Sequence, residues 1–188
     1  MTCIVGIAEG GNVWIGGDSA GVAGYALTRR RDVKVFRNGP FIMGFTTSFR
    51  MGQLLAHAFN PPKRHADADV YAFMVTDFID AVRECLKKGG YAETHNSVEQ
   101  GGAFLVGYEG RLFQVEEDYQ VGESLHGYDA CGCGDRYALG ALHATVGGDP
   151  AVRVKMALEA AEEFSAGVCG PFNVLSLKSV ANDNKEAA

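Results

Sequence analysis

The chain opens with Met1-Thr-Cys-Ile-Val-Gly-Ile-Ala-Glu-Gly-Gly-Asn-Val-Trp-Ile-Gly-Gly-Asp-Ser19, which predicts a β-hairpin. The run Cys3–Ala8 is apolar and rich in β-branched residues, as strands are. Glu9–Asn12 contains two glycines and is typical of a turn, after which Val13–Ile15 returns as the second strand. Thr2 and Asp18 are polar residues in this otherwise apolar, strand-rich part of the chain.

The remainder of the sequence alternates predicted strand pairs with predicted helix pairs. Alternating apolar positions and turn signals predict strands at 33–36, 41–43, 103–106, 112–115, 128–131 and 172–177. Apolar residues every three or four positions predict helices over about 47–59, 67–88, 135–145 and 150–165. Two antiparallel sheets packed face to face, with a helix pair outside each, would bury every apolar face. We therefore predict an α+β fold with one domain over 1–178 and a polar tail over 179–188.

Composition and charge exclude several classes of function. The 188 residues carry a formal net charge of −6, without the basic face expected of a nucleic-acid-binding protein. No apolar run approaches the ~18 residues of a membrane span, and no signal peptide is apparent. Five cysteines, an odd number, favour reduced thiols and a cytoplasmic location. The sequence has no phosphate-binding loop. Cys131-Gly-Cys133 has no second cysteine pair and is therefore a weak metal-ligand motif. We expect no cofactor and no metal.

Three polar residues, Thr2, Asp18 and Lys34, form a plausible catalytic group. A small residue after the initiator Met permits Met removal, and a terminal threonine then combines a nucleophile, Oγ1, with a base, its own α-amine. Lys34 could supply a cation that favours the neutral amine and stabilises developing negative charge. Asp18 could hold and orient Lys34. Each residue alone has a simpler reading, such as a turn for Asp18 or a solvent-exposed strand position for Lys34, so only the combination predicts catalysis.

The sequence resembles proteasome β-subunits, and most of all the bacterial HslV peptidase and its smaller bacterial relatives. Thr2–Gly6 resembles the Thr-Thr-x-Val-Gly start of that family, Ile15–Asp18 its aspartate-bearing strand and Val33–Val35 its lysine strand. Three further motifs are similar to the oxyanion-hole glycine, the Gly-Ser-Gly turn and the late Arg-Asp-x-x-Ser-Gly helix of the family: Met43–Thr46, Gly132–Gly134 and Ala157–Gly167.

This resemblance implies a four-layer αββα N-terminal-nucleophile (Ntn) hydrolase, assembled as a homo-oligomeric ring that hydrolyses peptides or unfolded protein. An ATP-dependent unfoldase partner would be a separate protein. The implied catalytic residues are Thr2, Asp18, Lys34, Gly44 (oxyanion N–H), Cys133 and Glu163. The implied substrate pocket lies near Gly21, Ile42 and Thr46.

Three positions depart from the family pattern. Cys133 stands where the family has serine, Glu163 where it has aspartate, and Ala166 where it has a second serine. A thiol is a weaker hydrogen-bonding group than a hydroxyl, and alanine offers none. Changes of this kind can reduce the rate by about one or two orders of magnitude without changing the reaction.

These departures keep other hypotheses open. The chain could be a weakly active or inactive ring protein with a structural or interaction role, or an amidase for a small non-peptide substrate. Cys3 could become the nucleophile if Met1 and Thr2 were both removed, but it is one residue out of register with Asp18 and Lys34, and one residue in a strand reverses the side chain. We expect assembly through the outer helices, in particular the helix that starts near Asp67.

Overall fold

The computed structural model describes residues 1–95 and 98–178, so the predicted tail over 179–188 lies outside the described residues. Within the described part of the chain, no helix is long and apolar enough to cross a membrane. Thirteen strands are assigned there: β1 Cys3–Glu9, β2 Asn12–Gly17, β3 Ala20–Ala23, β4 Ala26–Arg29, β5 Val35–Asn38, β6 Phe41–Phe45, β7 Glu93–His95, β8 Val98–Gln100, β9 Phe104–Tyr108, β10 Arg111–Val115, β11 Val121–Gly122, β12 Tyr128–Gly132 and β13 Asn173–Leu177.

The helices begin close to the predicted residues, and polar side chains cap the first, second and fifth of them. They are α1 Phe49–His57, α2 Val70–Phe73, α3 Ile79–Lys88, α4 Asp135–Ala144 and α5 Pro150–Phe164, with a π-helical segment Met74–Phe78 joining α2 to α3. Ser48 accepts a hydrogen bond from Arg50 N at the start of α1, and Asp149 accepts one from Val152 N at the start of α5. The predicted helix over 67–88 starts later than expected, at Val70, because Asp69 is the residue that caps it.

Two antiparallel sheets form the centre of the fold. The first has the strand order β12-β1-β2-β13 and the second β11-β10-β9-β6-β5. The side chains between the sheets include Ile4, Ile15, Ile42 and Leu105, all fully buried.

Each sheet also packs against helices on its outer face. Residues of β1 and β12 contact α4 and α5, and residues of β6 and β9 contact α1, α3 and the π-helical segment. The α+β, four-layer αββα arrangement predicted from the sequence is confirmed.

The sequence did not indicate several short strands. The β3–β4 hairpin covers residues 20–29 and forms a separate two-stranded sheet. All four residues of β4 are exposed, so the hairpin lacks the apolar alternation by which strands are recognised. This hairpin matters because the residues after it, Arg30 to Lys34, lead to the candidate site.

Candidate active site

Thr2 lies immediately before β1, where three elements meet. Its side chain is buried, and its carbonyl oxygen accepts a hydrogen bond from Gly134 N at the start of α4. Gly132, with φ +105°, allows this approach, because a Cβ at that position would lie 2.3 Å from Thr2 O. The turn between β12 and α4 is therefore shaped around the backbone of Thr2.

Lys34 and Asp18 complete a buried polar group with Thr2. The Nζ atom of Lys34 donates hydrogen bonds to Thr2 Oγ1 at 2.7 Å and to Asp18 Oδ1 at 2.8 Å. The side chains of Lys34 and Asp18 are 1% and 0% exposed, so this ion pair is fully shielded from solvent. The structure thus brings together the three residues that the sequence singled out.

Asp18 is fixed by the backbone around it. Its Oδ1 accepts a hydrogen bond from Cys3 N, and its Oδ2 accepts from Ala20 N and Cys169 N. Burial lowers the pKa of Lys34 below its ordinary value, and the negative charge of Asp18 opposes that effect. An ammonium group held in this way is a preorganised positive charge beside the hydroxyl of Thr2.

Met1 precedes Thr2 and occupies part of the same space. Thr2 Oγ1 donates a hydrogen bond to Met1 O, and a Cβ on Gly167 would lie 2.5 Å from Met1 Cβ. While Met1 is attached, Thr2 N belongs to a peptide bond and has no lone pair available as a base. Thr2 can supply both the nucleophile, Oγ1, and the base, its α-amine, only in a chain that begins at Thr2.

Cys133 contacts Thr2 directly. Thr2 N donates to Cys133 Sγ at 3.3 Å, and Ser165 Oγ also donates to Cys133 Sγ at 3.3 Å. The resemblance aligns Ala166 with a serine of the family and assigns no role to Ser165, one residue earlier. Since α5 ends at Phe164, Ser165 lies outside the helix, and helical spacing could not have placed its side chain.

Gly44 does not occupy the position predicted for an oxyanion-binding amide. It lies within β6, paired with Val35 on one side and Leu105 on the other, so its backbone is part of the sheet ladder. Thr47, three residues later, lines the small cavity at Thr2 and has a φ of +62°, which is rare for a β-branched residue. Its N–H forms none of the hydrogen bonds found among the described residues, whereas its Oγ1 accepts one from Ala103 N.

The prediction for Glu163 is also corrected. Glu163 is exposed on α5 and makes none of the recorded contacts around Thr2 in the described part of the chain. Its neighbour Glu162 instead accepts a hydrogen bond from Gly170 N at 2.8 Å. The position of Glu163 therefore provides no contact through which it could act on the reacting atoms.

The predicted pocket residues fall in three different places. Thr46 lines the small cavity of about 60 Å³ that contains Thr2. Gly21 lies beneath Arg30, since a Cβ there would be 2.6 Å from Arg30 Cδ. Ile42 is fully buried between the two sheets, so its assignment to a substrate pocket is wrong. Strand alternation explains this, because Ile42 and Gly44 share one face of β6 and Phe45 belongs to the other.

The alternative sites gain no support from the geometry. Cys3 is fully buried against the helices, and burial is the main cause that raises its pKa well above the ordinary value. Cys131 is buried between the sheets, on the opposite face from Cys3. Among the described residues, no three or more His, Cys, Asp and Glu side chains are grouped as metal ligands would be.

The sequence matches no family model and no curated protein, but solved structures resemble the fold closely. BPH from Thiobacillus denitrificans, in complex with epoxomicin, is 20% identical and superposes with a TM-score of 0.76 over 94% of this chain and 98% of that one. HslV from Trypanosoma brucei gives 17% identity and a TM-score of 0.66, covering 94% and 99% of the two chains. Anbu, an ancestral beta-subunit from Yersinia bercovieri, gives 14% and 0.63, covering 95% and 82%. The chain therefore has an HslV- and proteasome-like fold.

Proposed function

We propose that this protein is an N-terminal threonine peptidase that hydrolyses peptide bonds after removal of Met1. The observation that carries the proposal is the position of Lys34 Nζ, which contacts both Thr2 Oγ1 and Asp18 Oδ1 in a site shielded from solvent. The contact is useful where the Thr2 hydroxyl becomes a nucleophile and negative charge develops beside it.

The proposed reaction proceeds through an acyl-enzyme. The free α-amine of Thr2 takes the proton of Oγ1, which attacks the substrate carbonyl carbon and forms a tetrahedral intermediate. The amine then returns the proton to the leaving amine as the peptide bond breaks. Water, deprotonated by the same amine, attacks the Thr2 ester and releases the acid product.

Two charged or polar groups would stabilise the intermediate. The Lys34 ammonium lies beside Oγ1 and lowers the energy of negative charge there. We assign the oxyanion-binding amide to Thr47, because Thr47 lines the same small cavity as Thr2 and its N–H donates none of the backbone hydrogen bonds found among the described residues, whereas Gly44 belongs to a strand ladder. The left-handed backbone of Thr47 is a strained conformation of the kind found at functional sites.

The test combines intact mass with substitution of the nucleophile. We expect the purified chain to lack Met1, to gain the mass of one threonine-reactive β-lactone, and to lose both labelling and peptide hydrolysis in Thr2→Ala. Thr2→Ser keeps a hydroxyl and an α-amine and serves as the matched control, with activity retained in part. A Thr2→Ala protein that hydrolyses peptides as fast as the parent would show that Thr2 is not the nucleophile.

The second candidate function is a structural or interaction ring without peptidase activity. The thiol of Cys133 favours it, because it replaces a hydroxyl at the point where Thr2 N is held. Retention of Met1 in the mature chain would support this candidate, since the base would be missing. An amidase for small substrates would share the chemistry at Thr2 and would be recognised by hydrolysis of simple amides in preference to peptides.

We further propose that the chain assembles with copies of itself, through α4 and α5 rather than through the helix that starts near Asp67. Apolar side chains are exposed on α4 and α5, where Tyr137 and Phe164 are 45% and 67% exposed and their rings lie 5.6 Å apart. Met156 and Val152 extend this surface along α5. Clustered exposed apolar side chains favour association. Multi-angle light scattering is expected to give a mass several times the 20.1 kDa of one chain, with any unfoldase acting as a separate partner.

A further inference from the structure

Cys133 is an exposed thiol that lies against the backbone nitrogen of the candidate nucleophile. The structure describes all five cysteines, and the other four are buried or half-buried: Cys3, Cys85, Cys131 and Cys169. Thr2 N lies 3.3 Å from Cys133 Sγ, within hydrogen-bonding distance for sulfur. A thiol that solvent reaches is therefore in contact with the nitrogen that the proposed reaction uses as its base.

The contact between Thr2 N and Cys133 Sγ does not depend on Met1. Thr2 is held by its other atoms, because its carbonyl oxygen accepts a hydrogen bond from Gly134 N and its Oγ1 accepts one from Lys34 Nζ. Cys133 Sγ also donates to Thr2 O at 3.5 Å. In a chain that begins at Thr2, the free α-amine therefore stays beside the thiol.

Two further contacts confine the thiol of Cys133. Ser165 Oγ donates to Cys133 Sγ at 3.3 Å, and a Cβ on Gly167 would lie 2.7 Å from the same sulfur. That Cβ would also lie 2.5 Å from Met1 Cβ, so Met1 and the thiol flank the same glycine. Removal of Met1 therefore exposes the sulfur further, to molecules as small as hydrogen peroxide.

The α-amine of Thr2 can activate the thiol as well as the hydroxyl. A free α-amine has an ordinary pKa of about 8, so part of it is neutral at neutral pH and can accept a proton. The thiolate is the form of cysteine that reacts with oxidants. The amine that proposes to deprotonate Oγ1 thus also lies where it can deprotonate Cys133 Sγ.

We infer that Cys133 and the α-amine of Thr2 form a reversible oxidative crosslink, in which hydrogen peroxide joins Sγ to the amine nitrogen and switches the site off. The inference rests on the proposed function, because it needs a chain without Met1, and it names a regulation of that site. It depends on the sulfur of Cys133, and a serine at this position would be inert to peroxide.

The crosslink forms in two balanced steps. The thiolate of Cys133 attacks one oxygen of hydrogen peroxide, the O–O bond breaks, and the leaving hydroxide takes up the thiol proton as water. The sulfur is oxidised by two electrons to a sulfenic acid, and the peroxide is reduced. The Thr2 amine then attacks the sulfur, an S–N bond forms, and the hydroxyl leaves as water with a proton from the amine.

Thiols reverse the reaction. One thiol attacks the sulfur and breaks the S–N bond, so that the nitrogen regains its proton, and a second thiol releases Cys133 and leaves as a disulfide. While the S–N bond exists, the nitrogen of Thr2 cannot accept the proton of Oγ1 and return it to a leaving group. The oxidised site is therefore inactive, and reduction restores it.

The experiment treats the full chain, shown by intact mass to begin at Thr2, with hydrogen peroxide, and removes the excess with catalase. We expect a loss of about 2 Da, because two hydrogens leave, and a proteolytic fragment that joins the Thr2 and Cys133 peptides. Peptide hydrolysis should fall at least tenfold, and dithiothreitol should reverse both changes. A gain of about 32 Da that dithiothreitol does not reverse would indicate a sulfinic acid and overturn the inference.

Counting the free thiols distinguishes the S–N bond from a disulfide of the same mass. Alkylation with iodoacetamide in denaturant should label four of the five cysteines if only Cys133 is used, whereas a disulfide to Cys3 leaves three and would overturn the inference. Cys133→Ser should form no crosslink and show no thiol-reversible loss of its activity. Cys85→Ser, the matched control far from Thr2 in the fold, should form the crosslink as the parent does.

The Thr2→Ala protein separates this inference from the function on which it rests. Without Met1 it keeps an α-amine beside Cys133 but has no nucleophile, so it should form the crosslink while hydrolysing nothing. A crosslink in a parent protein that also hydrolyses nothing would support the inference and overturn the peptidase proposal alone. A parent that hydrolyses peptides and keeps five free thiols in peroxide would overturn the inference alone.

Discussion

The Nζ atom of Lys34 lies 2.7 Å from Oγ1 of Thr2, although the two residues are 32 positions apart in the sequence. Thr2 lies immediately before β1 of the first sheet, and Lys34 lies immediately before β5 of the second. The contact between them therefore joins the two sheets. Asp18, at the end of the strand paired with β1, neutralises the ammonium at 2.8 Å. A charge pair buried at this junction affects both the stability of the fold and the proposed chemistry.

Replacing Lys34 by methionine is expected to separate these two contributions. Activity should fall by about 10²–10³-fold, because a preorganised charge beside the developing oxyanion is lost. Stability should fall by about 3 kcal/mol, because Asp18 is left charged and buried without its cation. That cost lies at the low end for a broken buried ion pair, since Cys3 N and Ala20 N still donate to the carboxylate. Peptide hydrolysis and urea unfolding measure the two effects.

The double variant Lys34→Met/Asp18→Asn is the control. It removes both charges, so it should be more stable than Lys34→Met alone while its activity stays at least as low. A Lys34→Met protein with parental kcat/KM would contradict any role of the ammonium group in the reaction.

The pKa of Lys34 predicts a pH dependence whose sign can be worked out. Burial lowers this pKa below the ordinary 10.5, so the ammonium is lost at a lower pH than on an exposed lysine. If the reaction needs the charge, kcat/KM declines on the alkaline side below pH 10.5, and Lys34→Arg moves that decline upward because arginine stays protonated. A pH–rate profile with the same alkaline limb in both proteins would rule out Lys34 as its origin.

The same shift has a consequence for stability. Between the lowered native pKa of Lys34 and 10.5, the unfolded chain binds more protons at this residue than the native protein does. The contribution of Lys34 to the free energy of unfolding therefore increases as the pH rises through that window. Lys34→Arg lacks this titration. We therefore expect urea unfolding at several alkaline pH values to show that the free energy of unfolding of the parent increases relative to that of Lys34→Arg as the pH rises.

Local signals explain why the first hairpin was predictable from the sequence. Gly10 and Gly11, both with positive φ, form the turn, and the strands on either side alternate as expected. Thr2, Asp18 and Lys34 were predictable together because they are polar residues in an otherwise apolar, strand-rich part of the chain and because their order resembles that of a known family. By contrast, Ser165 follows the end of a helix and Thr47 follows the end of a strand, where no periodicity constrains the side chain or the amide.

Gly44 shows how a resemblance can assign a residue to the wrong role. The motif around Gly44 resembles an oxyanion loop. However, Ile42, two residues earlier in β6, lies on the same face of the strand and is buried between the sheets. A Cβ on Gly44 would lie 2.6 Å from Ile4 Cγ2 and 2.8 Å from Ile15 Cγ2. The alternation of β6 therefore contained the information needed to place Gly44 in the core.

This packing predicts opposite effects of alanine at two glycines. Gly44→Ala should destabilise the protein by about 1–3 kcal/mol, because strands on both sides prevent the core from expanding. Gly140→Ala, at an exposed position within α4 where nothing lies within 4 Å of the new Cβ, should stabilise it by about 0.5–1 kcal/mol. Thermal and urea unfolding of the two variants test this, and a neutral Gly44→Ala would show that the sheets separate more easily than their packing indicates.

Cys133 is expected to be the thiol through which the site can be blocked. It is exposed, whereas burial raises the pKa of Cys3, Cys131, Cys85 and Cys169 and so reduces their reactive thiolate. N-ethylmaleimide should add one equivalent at Cys133. The adduct would stand 3.3 Å from Thr2 N, where it blocks the amine, and activity should fall at least tenfold in step with the mass increase.

Cys133→Ser tests both halves of that argument. Its hydroxyl keeps an acceptor for Thr2 N and is a stronger hydrogen-bonding group than the thiol, so activity should be maintained or rise by up to about tenfold. The variant should also resist N-ethylmaleimide, while Thr2→Ala should take up the same single adduct as the parent. If Cys133→Ser were inactivated as fast as the parent, the inhibitory thiol would have to be one of the other four, of which Cys85 is half-buried and Cys3, Cys131 and Cys169 are buried.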